Sequence, residues 1–319
     1  MKRNKKKKYD DIKNNVDAII IADLHISEKT PVSRTDDYIQ AQIKKLTFLK
    51  ELHKKYNYPP ILDGGDIFDH WKNSPWLLSL AYKHLPKGII TVPGNHDLPE
   101  HSVKQYQKSS LSFLELIADH TVFSEDSDNP EIPECIEFEK FDIYGCPYGK
   151  YKNIEPEETE KRKILILHEM IWPGVKPPWP GAEGYSAKQI LKENPDFDLI
   201  ISGHNHSAFV EEYKGRVLVN PGSMMRISVD KADYKPRCYL YNAEENSVTP
   251  IYFPVEKDVH DATHINKIKE KEERLSAYIE RINTKWDISL SFENNLESFF
   301  KKNKTPAKVR ELIWEKMEK

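Results

Sequence analysis

Five short apolar runs in the first two thirds of the chain each stop at a polar loop. Ala18 to Ala22 stops at Asp23, Pro60 to Leu62 leads into Asp63-Gly64-Gly65-Asp66, and Gly88 to Val92 leads into Pro93-Gly94-Asn95-His96-Asp97. Ile164 to Leu167 stops at His168, and Leu199 to Ser202 stops at Gly203-His204-Asn205-His206. β-branched and aliphatic runs this short, bounded by Gly, Pro and Asp, are strand signals. Their continuous apolarity predicts strands covered on both faces.

The stretches between them carry helical spacing. Thr35 to Tyr56 places Tyr38, Ile39, Ile43, Leu46, Leu49 and Leu52 at near-helical intervals, and Trp76 to His84, Ser109 to Ile117 and Ser186 to Glu193 are shorter candidates. Alternating strands and helices predict an α/β fold, with chemistry at the carboxyl ends of the strands. Further strands are predicted around Phe141 to Tyr144, Arg216 to Val219, Cys238 to Tyr241 and Val248 to Phe253. After Pro254 the texture changes. Asp261 to Lys285 reads as a charged helix with an apolar stripe through Ile265, Ile268, Leu275, Ile279 and Ile282. Leu296 to Phe300 and Pro306 to Met317 read as helices, the last with Thr305 as N-cap and Pro306 at its first position. The expected division is a catalytic domain over 1–256 and a helical C-terminal extension over 257–319, either packed on that domain or docking a partner.

Composition changes this picture little. The chain has 319 residues, 31% of them charged, and a net charge of -3, which neither demands nor excludes a nucleic-acid partner. Cys135, Cys146 and Cys238 are far apart and form no CxxC pair, so neither a disulfide framework nor a thiolate metal site is expected. The basic start over 1–15, with Lys5 to Lys8, reads as a solvated arm with no apolar segment behind it. No apolar run reaches membrane-spanning length, so the expectation is a cytoplasmic protein with no membrane partner.

Taken singly, the strand-end residues are modest signals. Asp23-Leu24-His25 occurs by chance, Gly65-Asp66 followed by Asp69 also suits a turn, and His168 alone reads first as a structural histidine. Gly94-Asn95-His96-Asp97 and Gly203-His204-Asn205-His206 are stronger, because two histidines two apart in a Gly-started loop suit metal coordination. Together, five successive strand ends deliver Asp, His or Asn, which are ligand types of a dinuclear hydrolytic site. Mixed imidazole and carboxylate donors favour manganese, with iron, zinc or magnesium also able to serve.

With that set in place, the sequence resembles the calcineurin-like metallophosphoesterase superfamily from Asp23 to about Ser223, and Asn220-Pro221-Gly222-Ser223 is similar to the family's closing loop. The resemblance implies two packed mixed β-sheets flanked by helices and a cofactor of two divalent metal ions. Asp23, His25 and His206 would hold one metal, Asn95, His168 and His204 the other, and Asp66 would bridge both. Two cations roughly 3.5–4 Å apart stabilise the attacking and leaving oxygens of an in-line displacement, and bound metal generates the nucleophile from water at neutral pH. His96 would protonate the leaving oxygen or stabilise charge on the phosphoryl group, with Asp69 and Asp97 orienting ligands or His96.

The substrate is read from softer features. Phosphoprotein phosphatases of the superfamily carry a phosphate-gripping arginine that Asp69-His70-Trp71 lacks. Lipid A pyrophosphatases share only a faint aromatic similarity at Phe68 to Trp71. DNA repair nucleases of the SbcD type, phage recombination nucleases included, resemble the chain at Arg34, Asp36 and Asp37, at Gly65 to Asp69 and at Gly94 to Asp97. The resemblance implies a compact metal-dependent DNA exo- or endonuclease. Implied partners are DNA, a coiled-coil ATPase docked through the C-terminal helices, and a second copy of the chain. A small-molecule phosphoesterase or nucleotide pyrophosphatase is the alternative, and a non-catalytic scaffold the third. Arg34, His70, Trp71, Lys72, His101, Lys104 and Arg226 are candidates for holding the DNA backbone. The Pro-rich loop from Trp172 to Gly184, carrying Trp179, either stacks a base beside the site or stiffens its cover.

Overall fold

The first apolar run becomes strand β1 (Ala18–Ile21), and its neighbours explain why it is apolar throughout. Ile19 and Ile21 join a cluster on one face, Ala18 and Ile20 a second cluster on the other. The computed structural model describes residues 16–124, 135–151, 154–179, 181–261, 263 and 292–317. In chain order β1 is followed by α1 (Tyr38–Lys55), β2 (Ile61–Asp63), α2 (Pro75–His84), β3 (Ile89–Thr91), α3 (Ser110–Ala118), β4 (Thr121–Val122), β5 (Ile136–Glu137), β6 (Phe141–Cys146) and β7 (Arg162–Leu167). Then come β8 (Ile171–Trp172), β9 (Tyr185–Ser186), α4 (Ala187–Glu193), β10 (Leu199–Ser202), β11 (Phe209–Tyr213), β12 (Arg216–Asn220), β13 (Arg237–Asn242), β14 (Ser247–Tyr252), α5 (Phe292–Lys302) and α6 (Ala307–Met317).

Two six-stranded sheets form, in the orders β14-β13-β1-β2-β3-β4 and β11-β12-β10-β7-β6-β5. Strands β1, β2, β3 and β4 run parallel in the first sheet, as do β6, β7, β10 and β12 in the second. Antiparallel strands β13 and β14 adjoin the first set at β1, and β5 and β11 flank the second, so both sheets are mixed. Ile20, Leu62 and Ile90 meet Ile164, Ile166, Leu199 and Ile201 between the sheets. The alternate residues face outward: Ile19, Ile61 and Ile89 pack under α1, α2 and α3, while Leu165, Ile200 and Leu218 pack under α4. This is the α/β fold of two packed mixed β-sheets flanked by helices. Burial of both sheet faces supplies most of its driving force, at roughly 25 cal/mol per Å² of apolar surface.

Helix starts follow local capping chemistry. The carboxylate of Asp37 accepts from the N–H of Gln40, and Ser74, Ser109 and Ser186 cap α2, α3 and α4 in the same way. The edge strand β14 was expected over Val248 to Phe253, but β4, β5 and β11 escaped the pattern reading. β11 carries Glu211 and Glu212 and is half exposed, so it lacks a continuous apolar run; the turn Lys214-Gly215, with φ of 52° and 78°, pairs it to β12.

The chain divides into two compact units, Met1–Asp261 and Ala262–Lys319. In the second, α5 and α6 form a hairpin in which Phe300 meets Trp314 edge to face at 6.4 Å and Trp314 Nε1 donates to Glu297 at 3.2 Å. Helix α6 begins at Ala307, one residue later than expected, because the carbonyl of Pro306 already accepts from the N–H of Arg310. The basic arm over 1–15 and the apolar stripe from Ile265 to Ile282 lie outside the described residues. Among the described residues no helix is long and apolar enough to cross a membrane.

Candidate metal centre

The parallel strands of both sheets end at the same edge, and the hydrogen bonds there stitch the two sheets together. The N–H of His204, after β10, donates to Asp23 Oδ1, after β1, at 2.9 Å. His168, after β7, holds the Gly64 carbonyl, after β2, through Nδ1 at 2.7 Å. The loop after β12 closes the edge: the N–H of Ser223 donates to the His206 carbonyl and that of Met224 to the Asp23 carbonyl. Thus Asn220 to Ser223 clamp the ligand loops.

Four of the expected ligands have left-handed backbones: Asp23 at φ 49°, His25 at 45°, Asp66 at 58° and His204 at 72°. Such conformations cost on the order of 1–3 kcal/mol each in a non-glycine residue and persist where surrounding structure holds them. Here the cost turns each side chain inward from its strand end.

The side chains gather in two overlapping groups. Asp23, His25 and His206 offer one donor atom each within 4.8 Å of one another, and so do Asp66, His168 and His204. Asn95 Oδ1 joins the second group, 3.1 Å from His168 Nε2 and 2.7 Å from His204 Nδ1. Asp66 Oδ2 stands between the groups, 3.7 Å from His25 Nε2 and 3.2 Å from His168 Nε2. Its other oxygen accepts from the N–H of His96 at 2.9 Å, which fixes the carboxylate plane. All seven residues expected as ligands therefore converge.

The donor set fits a pair of divalent cations. Among the described residues, Asp23 Oδ2 is a buried carboxylate oxygen with no hydrogen-bond donor, and Asp66 Oδ2, also buried, faces the imidazoles of His25 and His168. An uncompensated buried carboxylate oxygen is expensive, and a cation removes the cost. Two glycines keep the space open. A Cβ on Gly65 would lie 2.6 Å from His168 Nδ1, and one on Gly94 would overlap Asp66 Oδ1.

A family model for calcineurin-like phosphoesterases matches residues 17–208. The chain belongs to the calcineurin-like phosphoesterase family. It is thereby a metal-dependent phosphoester hydrolase by family, and the two donor groups are where this phosphoesterase would hold its two metals. No curated protein sequence matches it. Solved structures similar to it include a novel archaeal phosphodiesterase, at 15% identity over 74% of this chain and 99% of that one, with a TM-score of 0.39. A metallophosphoesterase from Sphaerobacter thermophilus has 15% identity over 75% of this chain and 89% of that one, with a TM-score of 0.37. A putative 5'-nucleotidase from Staphylococcus aureus has 12% identity over 77% and 55%, with a TM-score of 0.42.

Electrostatics differ between the phosphoesterase's two groups. Burial pushes Asp23 up to about 6, against the pull of His168 and His25. Burial pushes His206 down to about 3 and His204 down to about 4, helped by neighbouring cationic histidines. His168 goes the other way: burial would lower it, but the Asp66 and Asp23 carboxylates raise it to about 10. Asp66 is held well below the usual carboxylate range by His168, His25 and His96, which outweigh its burial. The proton on His168 thus occupies the place of a cation.

The three residues expected around the ligands divide by role. His96 is half buried, its Nδ1 lies 2.8 Å from the Asp69 carbonyl oxygen, and its ring stands edge to face on His25 at 4.7 Å. Asp69 Oδ1 lies 3.4 Å from His25 Nδ1 and 4.0 Å from His96 Nδ1, so it faces both imidazoles. Asp97 faces neither. Its buried carboxylate accepts from the backbone N–H groups of Asp66, Gly94 and Phe68 at 2.9, 3.1 and 3.2 Å. It is a positioning residue that joins the loop of Asp66 to the loop of Asn95.

Two expected DNA-binding residues are structural instead. Arg34 is buried, pairs with both Asp36 oxygens at 2.8 and 2.6 Å, and donates to the Arg226 carbonyl at 2.8 Å. Arg226 is buried too and donates to the carbonyls of Ala232 and Glu256. Their guanidinium groups are buried and hold the loop after Ser223, with Arg226 Nε left unpaired. His70 and Lys72 are exposed, with His70 stacked on half-buried Trp71 at 5.6 Å. His101 is exposed with Nδ1 3.0 Å from the Asn95 carbonyl oxygen, and Lys104 is also exposed.

One site residue was missed from sequence. Tyr148 follows β6, its ring 5.6 Å from that of His204 and 6.1 Å from that of His168. Its N–H donates to the Pro93 carbonyl at 3.0 Å. The signal was present: the strand expected around Phe141 to Tyr144 runs on to Pro147-Tyr148, one more strand end at the same edge.

Proposed function

We propose that this phosphoesterase is a manganese-dependent phosphodiesterase that cuts DNA. The observation that carries the reading is the setting of His96. With Nδ1 committed to the Asp69 carbonyl, the half-exposed ring keeps Nε2 for the substrate. A phosphodiester expels an alkoxide, which needs a proton as the P–O bond breaks, and a positioned imidazolium supplies it. Asp69 Oδ1 faces both rings, 3.4 Å from His25 Nδ1 and 4.0 Å from His96 Nδ1. The metals, when bound, polarise the phosphoryl oxygens and lower the pKa of water. Asp23, His25 and His206 would hold one, and Asn95, His168 and His204 the other, with Asp66 between them.

DNA is supported by the similarity of Gly65 to Asp69 and Gly94 to Asp97 to SbcD-type nuclease motifs, and by the exposed rim of His70, Lys72, His101 and Lys104. The second reading, a small-molecule phosphoesterase, is favoured by one feature. A cavity of about 780 Å³ opens beside His204 and His206, and ligand pockets typically run from about 300 to 1,000 Å³.

The test incubates the protein and Mn²⁺ with labelled linear duplex and single-stranded DNA, and separately with bis-p-nitrophenyl phosphate. DNA cleavage that disappears in His96→Ala, while Mn²⁺ binding persists, is expected. Turnover of the small diester alone would remove DNA as substrate.

A further inference from the structure

The cavity beside His204 and His206 is larger than the metal pair needs, and its walls differ from the metal groups. Tyr148 and Tyr185 line it together with Trp179, and Glu169, Glu183 and Lys231 supply charge. Trp179 is 55% exposed, although it sits on a loop anchored at both ends. β8 pairs with β9 in parallel, and the N–H of Tyr185 donates to the Met170 carbonyl at 2.9 Å. Within the loop, the N–H of Ala182 donates to the Trp179 carbonyl at 3.2 Å, and Pro173, Pro177 and Pro178 restrict the approach. An exposed indole on a stiff, tethered loop is a preorganised stacking surface. A second aromatic residue of the lining, Tyr148, is braced against His204 and His101.

The charges decide which part of a substrate enters. Two carboxylates line the cavity, and Glu169 is held in place by the N–H of Gly149 at 3.1 Å. The one lysine, Lys231, donates to Ser207 Oγ at 2.6 Å. Such a wall repels a phosphate backbone. It accepts a flat, neutral ring whose exocyclic amino group donates to a carboxylate. A nucleobase has both properties, and aromatic side chains stack on any base.

We infer that this cavity is a nucleobase subsite that takes the unpaired base of a nucleotide flanking the scissile phosphate. The inference rests on the phosphodiesterase reading and narrows its substrate to single-stranded or frayed DNA. A base within a duplex is paired and stacked, and reaches such a cavity only after leaving the stack.

The test uses Trp179→Ala, a change at an exposed side chain outside the two metal groups. Cleavage of a single-stranded oligonucleotide is compared with that of the same strand carrying abasic positions on either side of the cut. The wild type should lose about 5- to 150-fold in kcat/KM on the abasic strand, the range expected for one stacked base. Trp179→Ala should lose the same factor on the normal strand and little more on the abasic one. A hairpin-capped duplex without free ends should be cut more slowly than either single strand by the wild type. Independently of cleavage, adenosine should quench the tryptophan fluorescence of the wild type saturably, and of Trp179→Ala much less. Equal rates on normal and abasic strands, with no saturable quenching, overturn the subsite and leave the phosphodiesterase reading intact. Saturable quenching lost in Trp179→Ala, with no oligonucleotide cut under any condition, upholds the subsite and overturns DNA cleavage.

Discussion

Asp97 offers a direct test of how the metal groups are held, because it touches no expected ligand side chain yet joins two ligand loops. Asp97→Ala removes an acceptor shared by three backbone donors, those of Asp66, Gly94 and Phe68. A buried donor left unsatisfied costs about 1–3 kcal/mol, so the gross loss for three is roughly 3–9 kcal/mol. The carboxyl's own burial opposes this, since it raises the group to about 7. The net destabilisation expected is about 2–4 kcal/mol, large for one substitution. Asp97→Asn keeps at least one carbonyl acceptor and should lose about half as much. Urea unfolding followed by tryptophan fluorescence, without added metal, measures the stability. Calorimetric titration with Mn²⁺ measures the second consequence, a roughly 10- to 100-fold loss of affinity from displaced Asp66 and Asn95. Wild-type stability together with wild-type Mn²⁺ affinity in Asp97→Ala would refute the reasoning, because the loops would then be held by something else.

Four further outcomes are expected. His168 is raised from 6.5 to about 10, so metal must displace its proton; Mn²⁺ affinity at that group should rise with pH up to about 10, and calorimetry in buffers of different ionisation enthalpy at pH 7.5 should detect about one proton released from it. The same shift stabilises the cation-free fold below pH 6.5, and that contribution should fade as pH rises through about 10, which thermal unfolding across that window would show. Arg34→Ala breaks a buried pair with Asp36 and should cost about 2–4 kcal/mol in urea unfolding; wild-type stability with weakened DNA binding would instead restore Arg34 as a phosphate contact. Gly94→Ala drives a methyl group into Asp66 Oδ1 and should abolish saturable Mn²⁺ binding, whereas binding at the wild-type level would show that the loop yields.

The C-terminal ends of the central strands were legible because burial on both faces makes each run wholly apolar, so the first polar residue after it marks the site edge. Asp23 and His168 occupy such positions, and Asp66, Asn95 and His204 lie in the short loops that follow their strands. The edge strand β11 was not legible, because it is half exposed, carries two glutamates and has no such run. Arg34 and Arg226 show a second limit. A basic residue near a motif looks the same in sequence whether its guanidinium faces solvent or a backbone carbonyl, and only the packing of the loop after Ser223 turned both inward.

The ligand chemistry was therefore written in residue types at strand ends, a local property of the chain. Which oxygen of Asp66 faces both groups, which backbone donors Asp97 joins, and how Tyr148 and Trp179 come to line one cavity were decided by tertiary structure. These depend on how the ends of two separate sheets meet, and residues such as Asp23 and His204, far apart in sequence, become neighbours only when both sheets bury their shared core.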